Sequence, residues 1–340
     1  MRVTVFGTGA VGSLLAVGLA SAGAEVSAIA RGEHLAAIQR AGLTLIQGDQ
    51  VQTVTLAASD SPAEIGGPQD AVIVVTKAHA HAAVARSIAP LLGPETRVIF
   101  AVNGIPWWYG QGLRLPGDGA GGEQPGGDLA RALGLLDPGG DLARHVGAGR
   151  TVGCVIDSPN EIVSPGVVRN DHVRRNRFTL GRPDGAADPV LDRLSALLEA
   201  GGFEAPVVPD LRVALWRKLL VNIAGSPLCT LTGATHRGIV LDDGLRDLCR
   251  RLTLEGAAIA AAHGLHPVFD IDAMLDPANR AEHKASMLQD AERGRALEID
   301  PILSVPQALA RAAGVPTPAL DIVLPLVRVK ATTLGLYRAH

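Results

Sequence analysis

Four short apolar runs open the chain, at residues 3–6, 26–30, 71–75 and 98–102. Each is continuous rather than alternating, which is how a strand buried on both faces of a parallel sheet reads. Helical patterns fill the gaps at 11–22 and 79–92. Strand and helix in alternation predict an α/β fold with a doubly wound sheet. Residues 53–57 add a candidate strand. Further strands are predicted at 151–156, 166–169 and 177–180, a helix at 189–200 and a final strand at 203–208. From residue 210 the strand signal stops. Helices are predicted at 210–231, 242–263, 281–293, 302–313 and 318–336, with Asp242 placed as an N-cap and Gly264 as a stop. The pattern divides the chain into an α/β domain over 1–209 and an all-helical domain over 210–340. Residues 110–150 are crowded with Gly, Pro and Asp and read as an insertion, with one short helix at 128–136.

The turn after the first run is Gly7-Thr8-Gly9-Ala10-Val11-Gly12. Strand, GxGxxG and helix in that order form the dinucleotide fingerprint of a Rossmann-type domain. The first glycine makes the tight turn, the second admits a pyrophosphate to the backbone, and the third lets helix pack on strand. The phosphates meet the free N–H groups at the helix start. Context carries this reading, because Gly117-Asp118-Gly119-Ala120-Gly121-Gly122 matches the same pattern inside the Gly/Pro-rich insertion, with no strand before it. The second apolar run ends in Arg31, where an NAD site usually offers an acid to the ribose. A cation there suits a 2′-phosphate and points to NADP(H), although Glu33 is also within reach of a ribose.

Composition narrows the partners. The chain has 340 residues, 47% of them hydrophobic, and a formal net charge of −3 without any basic block. That balance argues against nucleic acid and an anionic membrane as partners. Three scattered cysteines (Cys154, Cys229, Cys249) give neither a disulfide framework nor metal spacing, so no metal site is expected and a reducing cytoplasm fits.

Ligands in open α/β sheets lie beyond the carboxyl ends of the strands. Two such ends carry polar groups, Thr76-Lys77 and Asn103-Gly104. Lys77 is a candidate for a cofactor phosphate and Asn103 for the nicotinamide ribose or the substrate. In the helical half, Lys218, Asn222 and Ser226 stand at i, i+4 and i+8 in an apolar segment. They share one helix face, drifting by roughly 40° per step. A lysine so placed is either a snorkelling rim residue or an acid in a cleft, where desolvation eases loss of its proton. A further polar cluster spans 283–290 and 294–300.

Taken together, GTGAVG at 7–12, Arg31, TKA at 76–78, NG at 103–104, WRKLLVN at 216–222, PL at 227–228, HKASMLQD at 283–290 and GRALEID at 294–300 resemble the ketopantoate reductase (2-dehydropantoate 2-reductase) family. The resemblance covers nearly the whole chain apart from 110–150. It implies NADPH-dependent reduction of a 2-oxo acid, most simply ketopantoate in pantothenate and coenzyme A synthesis. It implies Lys218 as general acid with Glu298 as its companion, Asn222 and Ser286 on the substrate, and Asn103 between cofactor and substrate. Arg31 and Lys77 would then hold the cofactor phosphates. The chain departs from the family pattern at Ser226, where an asparagine is common, and at Ser304, where glycine is common. The run Trp107-Trp108-Tyr109 marks a divergent subgroup. The first departure leaves room for a different 2-oxo or 3-hydroxy acid. A non-catalytic NADP-binding sensor is the other alternative, and the presence of both Lys218 and Glu298 argues against it. A homodimer is compatible with this reading, but the pattern does not specify it.

Overall fold

The computed structural model describes residues 1–113, 127–171, 175–280, 282 and 284–338. The second glycine match at 117–122 and His283 lie outside them. Two compact units divide the chain, Met1–Val102 with Asp137–Leu211, and Asn103–Leu136 with Arg212–His340.

The first unit contains strands β1 (Arg2–Phe6), β2 (Glu25–Ile29), β3 (Leu43–Gln47), β4 (Gln50–Val54), β5 (Ala57–Ser59), β6 (Ala71–Val74), β7 (Arg97–Ala101), β8 (Thr151–Asp157), β9 (Glu161–Ser164), β10 (Val167–Arg169) and β11 (Arg177–Gly181). The main sheet runs β5-β2-β1-β6-β7-β8, all parallel, with β11 antiparallel on the β8 edge. Read in chain order, the parallel strands follow the 3-2-1-4-5-6 order of a dinucleotide fold, whose order reverses between β1 and β6. A smaller sheet, β4-β3-β10-β9, lies apart from it. Helix Ala10–Ser21 packs on β1 and β2 and also on β3, β4 and β10. Sandwiched in this way, it buries Gly12 to Leu19 without a break. A helix covered on both sides is apolar all round. Val3, Val5, Ile73 and Ile99 from the strands meet Leu14, Leu15 and Val17 from this helix in one core.

Several element boundaries differ from the sequence pattern for local reasons. The predicted strand at 53–57 divides between β4 in the small sheet and β5 in the main one. The predicted strand at 203–208 is no continuous strand. Its backbone runs beside β11, exchanging bonds such as Phe178 N–H to Glu204 O and Val208 N–H to Leu180 O, but pairs only at isolated bridges. Pro206 has no N–H to donate, so the ladder is interrupted there. The helix at 79–92 shortens to His81–Ser87, flanked by single 3-10 turns. Helix Gly32–Ala41 has no counterpart in the pattern, because it buries only Ala37 and Ile38 and leaves most of its length polar.

The second unit is largely helical, with Leu211–Thr232, Asp243–Ala262, Val305–Ala312 and Pro318–Thr333 as its longer members. Asp242 caps the second of these by accepting the Leu245 N–H, and Gly264 follows its end. The helix expected over 281–293 begins only at Ser286, and the one expected over 302–313 is preceded by a π-helical turn, Asp300–Ser304. Residues 103–136 cluster with this unit because their aromatic run docks on its first helix. Trp216 Nε1–H donates to the Tyr109 hydroxyl at 2.9 Å, and Arg212 Nε–H donates to the Tyr109 carbonyl at 3.0 Å. The Arg212 guanidinium also lies over the Trp108 and Tyr109 rings. No helix among the described residues is long and apolar enough to cross a membrane.

Candidate functional site

In the first unit the three motif glycines differ in what surrounds them. Gly7 ends β1 at the switch point with φ +98°, and a Cβ there would lie 2.6 Å from Thr76 Cγ2 at the end of β6. A Cβ on Gly12 would lie 2.3 Å from the Gly7 carbonyl oxygen. A Cβ on Gly9 would meet nothing within 4 Å. Thr8 is buried, and its hydroxyl donates to the Ile29 carbonyl, which also accepts the Gly7 N–H. Ala10 and Val11 begin the helix, which has no side-chain cap and no acid in its first turn. Its leading N–H groups therefore face an open space beside Gly9. Thr76 Oγ1 is buried without a hydrogen-bond partner at the same switch point. Open space, uncapped amides and an orphaned hydroxyl fit a dinucleotide pyrophosphate.

Arg31 is exposed immediately before helix Gly32–Ala41, and its side chain forms no ion pair among the described residues. Lys77 is half-buried just after Thr76. Two histidines that the sequence pattern did not single out brace this edge. His81 is 2% exposed and donates from Nε2 to the Thr76 carbonyl at 3.1 Å, with Phe100 edge-on to its ring. Burial lowers its pKa to about 4, so it is neutral at pH 7. His34 Nδ1 accepts the Gly166 N–H, which leaves its proton on Nε2, facing Ser13 Oγ at 3.3 Å. Ser13 in turn donates to the Thr8 carbonyl. Burial also lowers the His34 pKa. A histidine inside a helical pattern gives no periodic signal, so these braces are visible only in three dimensions.

In the second unit Lys218 Nζ donates to Asn103 Oδ1 at 2.6 Å. Residues far apart in sequence thus meet as an ammonium held by an amide oxygen. Asn222 is half-buried one turn further along the same helix, and Ser226, 2% exposed, is one turn beyond that. Ser286 is exposed and opens helix Ser286–Glu292. Glu298 is half-buried just before the π-helical turn, and Leu297 beside it is tied by its N–H to the Leu336 carbonyl. Lys218 and Asn103 are therefore in direct contact, Asn222 and Ser226 extend from Lys218 on one helix, and Ser286 and Glu298 come from two other elements.

Residues 3–106 match the family described as ketopantoate reductase PanE/ApbA, and residues 210–331 match its C-terminal domain. A 2-dehydropantoate 2-reductase of Mesorhizobium japonicum is 40% identical over 99% of this chain and 100% of its own. The chain belongs to the ketopantoate reductase family. It is an oxidoreductase of that family, which uses a nicotinamide cofactor. The crystal structure of 2-dehydropantoate 2-reductase from Geobacter metallireducens GS-15 is similar to it with a TM-score of 0.81, at 27% identity, covering 97% of this chain and 100% of that one. A D-mandelate dehydrogenase, solved with NADH and anilino(oxo)acetate, shares the fold with a TM-score of 0.80 at 21% identity, covering 99% of this chain and 100% of that one. Neither family segment includes 107–209, which contains the insertion and the aromatic run.

Proposed function

We propose that this chain reduces 2-dehydropantoate to pantoate with NADPH, in pantothenate and coenzyme A biosynthesis. The observation that supports the reading is the Lys218–Asn103 hydrogen bond, made by two residues for which the resemblance implies roles in the reaction. The nicotinamide, when bound, supplies the hydride. As hydride reaches the ketone carbon, negative charge builds on the ketone oxygen. An ammonium held in position stabilises that charge and gives its proton to the oxygen, leaving a hydroxyl. Lys218 takes this role, with its donor direction fixed by Asn103 Oδ1 and Glu298 as its carboxylate companion. Asn222, Ser226, Ser286 and Asn103 contribute polar contacts to the substrate. Gly7, Thr8, Gly9, Ala10, Val11 and Gly12 form the pyrophosphate cradle. Arg31 takes the 2′-phosphate, since an exposed guanidinium at a helix start suits a dianion. Lys77 adds a second cation.

Ser226 supports a second reading of the substrate. A serine that is 2% exposed stands where an asparagine is common in the family, and it cannot make an amide's paired contacts. The same chemistry on another small 2-oxo acid follows from that departure. NADPH oxidation measured against a panel of 2-oxo acids separates the two readings. 2-Dehydropantoate should give the highest kcat/KM. Another acid ranking first would overturn only the substrate assignment, and no turnover of any acid would overturn the reductase reading.

A further inference from the structure

The helix that follows Glu298 begins irregularly, and two prolines set the irregularity. Across the π-helical turn Asp300–Ser304, the Val305 N–H donates to the Asp300 carbonyl, five residues back. In a regular α-helix it would take the Pro301 carbonyl instead. The next intrahelical donor for that carbonyl would come from residue 306, which is proline and has no N–H. The Pro301 carbonyl is thus released from the helix ladder. It accepts the Ile105 N–H at 2.7 Å. The approach needs Gly104, whose φ is +75° and whose Cβ, if present, would lie 2.5 Å from the Pro301 carbonyl carbon and oxygen. Asn103, the residue before Gly104, holds Lys218.

The other side of the turn is fixed by a polar network. Asp300 Oδ1 accepts from Ser304 Oγ at 2.7 Å and from the Tyr337 hydroxyl at 2.8 Å, while Arg328 Nη2 donates to Ser304 Oγ at 2.7 Å. The Tyr337 hydroxyl is pushed up to about 12 by burial and by Asp300, so it remains a donor throughout the neutral range. Ser304 is 3% exposed and belongs to this network. The hydroxyl that replaces the family's usual glycine therefore ties the turn to helix Pro318–Thr333.

We propose that Pro306 is a positioning residue for the reduction, because it keeps the Pro301 carbonyl available to Ile105 and so sets Asn103 against Lys218. Segment 103–105 and the segment carrying Glu298 are joined through one backbone hydrogen bond, and a π-turn of this kind commonly marks a functional site. The inference rests on the roles proposed above for Lys218 and Asn103. The test is Pro306→Ala, which restores an N–H able to take the Pro301 carbonyl within the helix. Expected are nearly unchanged thermal stability, since Pro306 stands in the first turn of helix Val305–Ala312, where proline is tolerated, and an unchanged NADPH Kd. Faster hydrogen exchange at the Ile105 amide and a kcat lowered about fivefold or more, the worth of one hydrogen bond, complete the expectation. Pro306→Ser supplies the same N–H if alanine packs poorly. Unchanged exchange at Ile105 would overturn the device, whatever happens to kcat. Faster exchange with wild-type kcat would overturn its link to the reaction. If the wild type reduces no 2-oxo acid, the functional reading fails while the Ile105 exchange still reports on the device.

Discussion

The three motif glycines make a sharp prediction, because substitution at Gly9 should have consequences opposite to those at Gly7 and Gly12. Gly9→Ala places a methyl in space that holds no protein atom within 4 Å. Its φ of −73° suits any residue, so the folded state loses only the difference between glycine and alanine at an N-cap, about 0.5–1 kcal/mol. The same methyl stands where a pyrophosphate must approach the backbone. NADPH affinity should drop about tenfold or more, that is about 1.4 kcal/mol or more. Gly12→Ala should do the reverse. Its Cβ would sit 2.3 Å from the Gly7 carbonyl oxygen, a backbone atom between β1 and the helix with little room to move. An overpacking cost of about 1–3 kcal/mol outweighs the gain of about 1 kcal/mol from helix propensity. Gly7→Ala adds a strained φ of +98° to a 2.6 Å contact with Thr76 and should lose about 1–3 kcal/mol for the backbone alone. Urea unfolding gives the stabilities, and quenching of tryptophan fluorescence by NADPH gives the affinities. Wild-type NADPH affinity in Gly9→Ala would refute the placement of the cofactor.

Three further outcomes follow from the same geometry. Arg31→Ala should weaken NADPH about 10- to 100-fold and leave NADH nearly unchanged; equal loss of both would remove Arg31 from the 2′-phosphate. Burial holds the folded pKa of His81 at about 4, below the ordinary histidine value of 6.5. The native state binds fewer protons between those values, so stability present above pH 6.5 should fall by about 3 kcal/mol as pH drops through that window. The lowered pKa values of His34 and His263 act in the same direction. His81→Gln should flatten this part of the stability profile, and an unchanged slope would contradict the assignment. Asp188, 3% exposed, accepts from Arg97 and Arg182 and caps helix Pro189–Ala200. Asp188→Ala should cost about 3–5 kcal/mol in urea unfolding, whereas a loss under about 1 kcal/mol would show that the pairs behave as surface ones.

The strands of the main sheet were legible because burial on both faces leaves an uninterrupted apolar run, as in β1, β6 and β7. The strand–turn–helix unit at residues 2–21 was legible because strand, glycines and helix are consecutive in sequence. Helix Gly32–Ala41 was not, since so little of it is buried that periodicity is faint. Pro206 concealed the way 203–208 lies beside β11, because a missing N–H breaks a ladder without moving the chain away. The Lys218–Asn103 contact joins residues whose proximity no local pattern encodes; the resemblance named both, but only the fold brings Nζ to Oδ1. The turn after Glu298 depends on two prolines five apart and a partner amide from another segment, so neither periodicity nor propensity announces it. The aromatic run at 107–109 stood out in sequence as unusual, and its docking on Arg212 and Trp216 explains why the chain that follows Asn103 joins the helical unit.

The role proposed for Lys218 is to protonate the ketone oxygen during hydride transfer. Its most direct test is NADPH oxidation by Lys218→Ala with 2-dehydropantoate under saturating conditions, alongside the NADPH Kd of the same protein. The kcat should fall about 10²- to 10⁴-fold, the range for a lost general acid, with cofactor affinity close to wild type. A kcat near that of the wild type would contradict it.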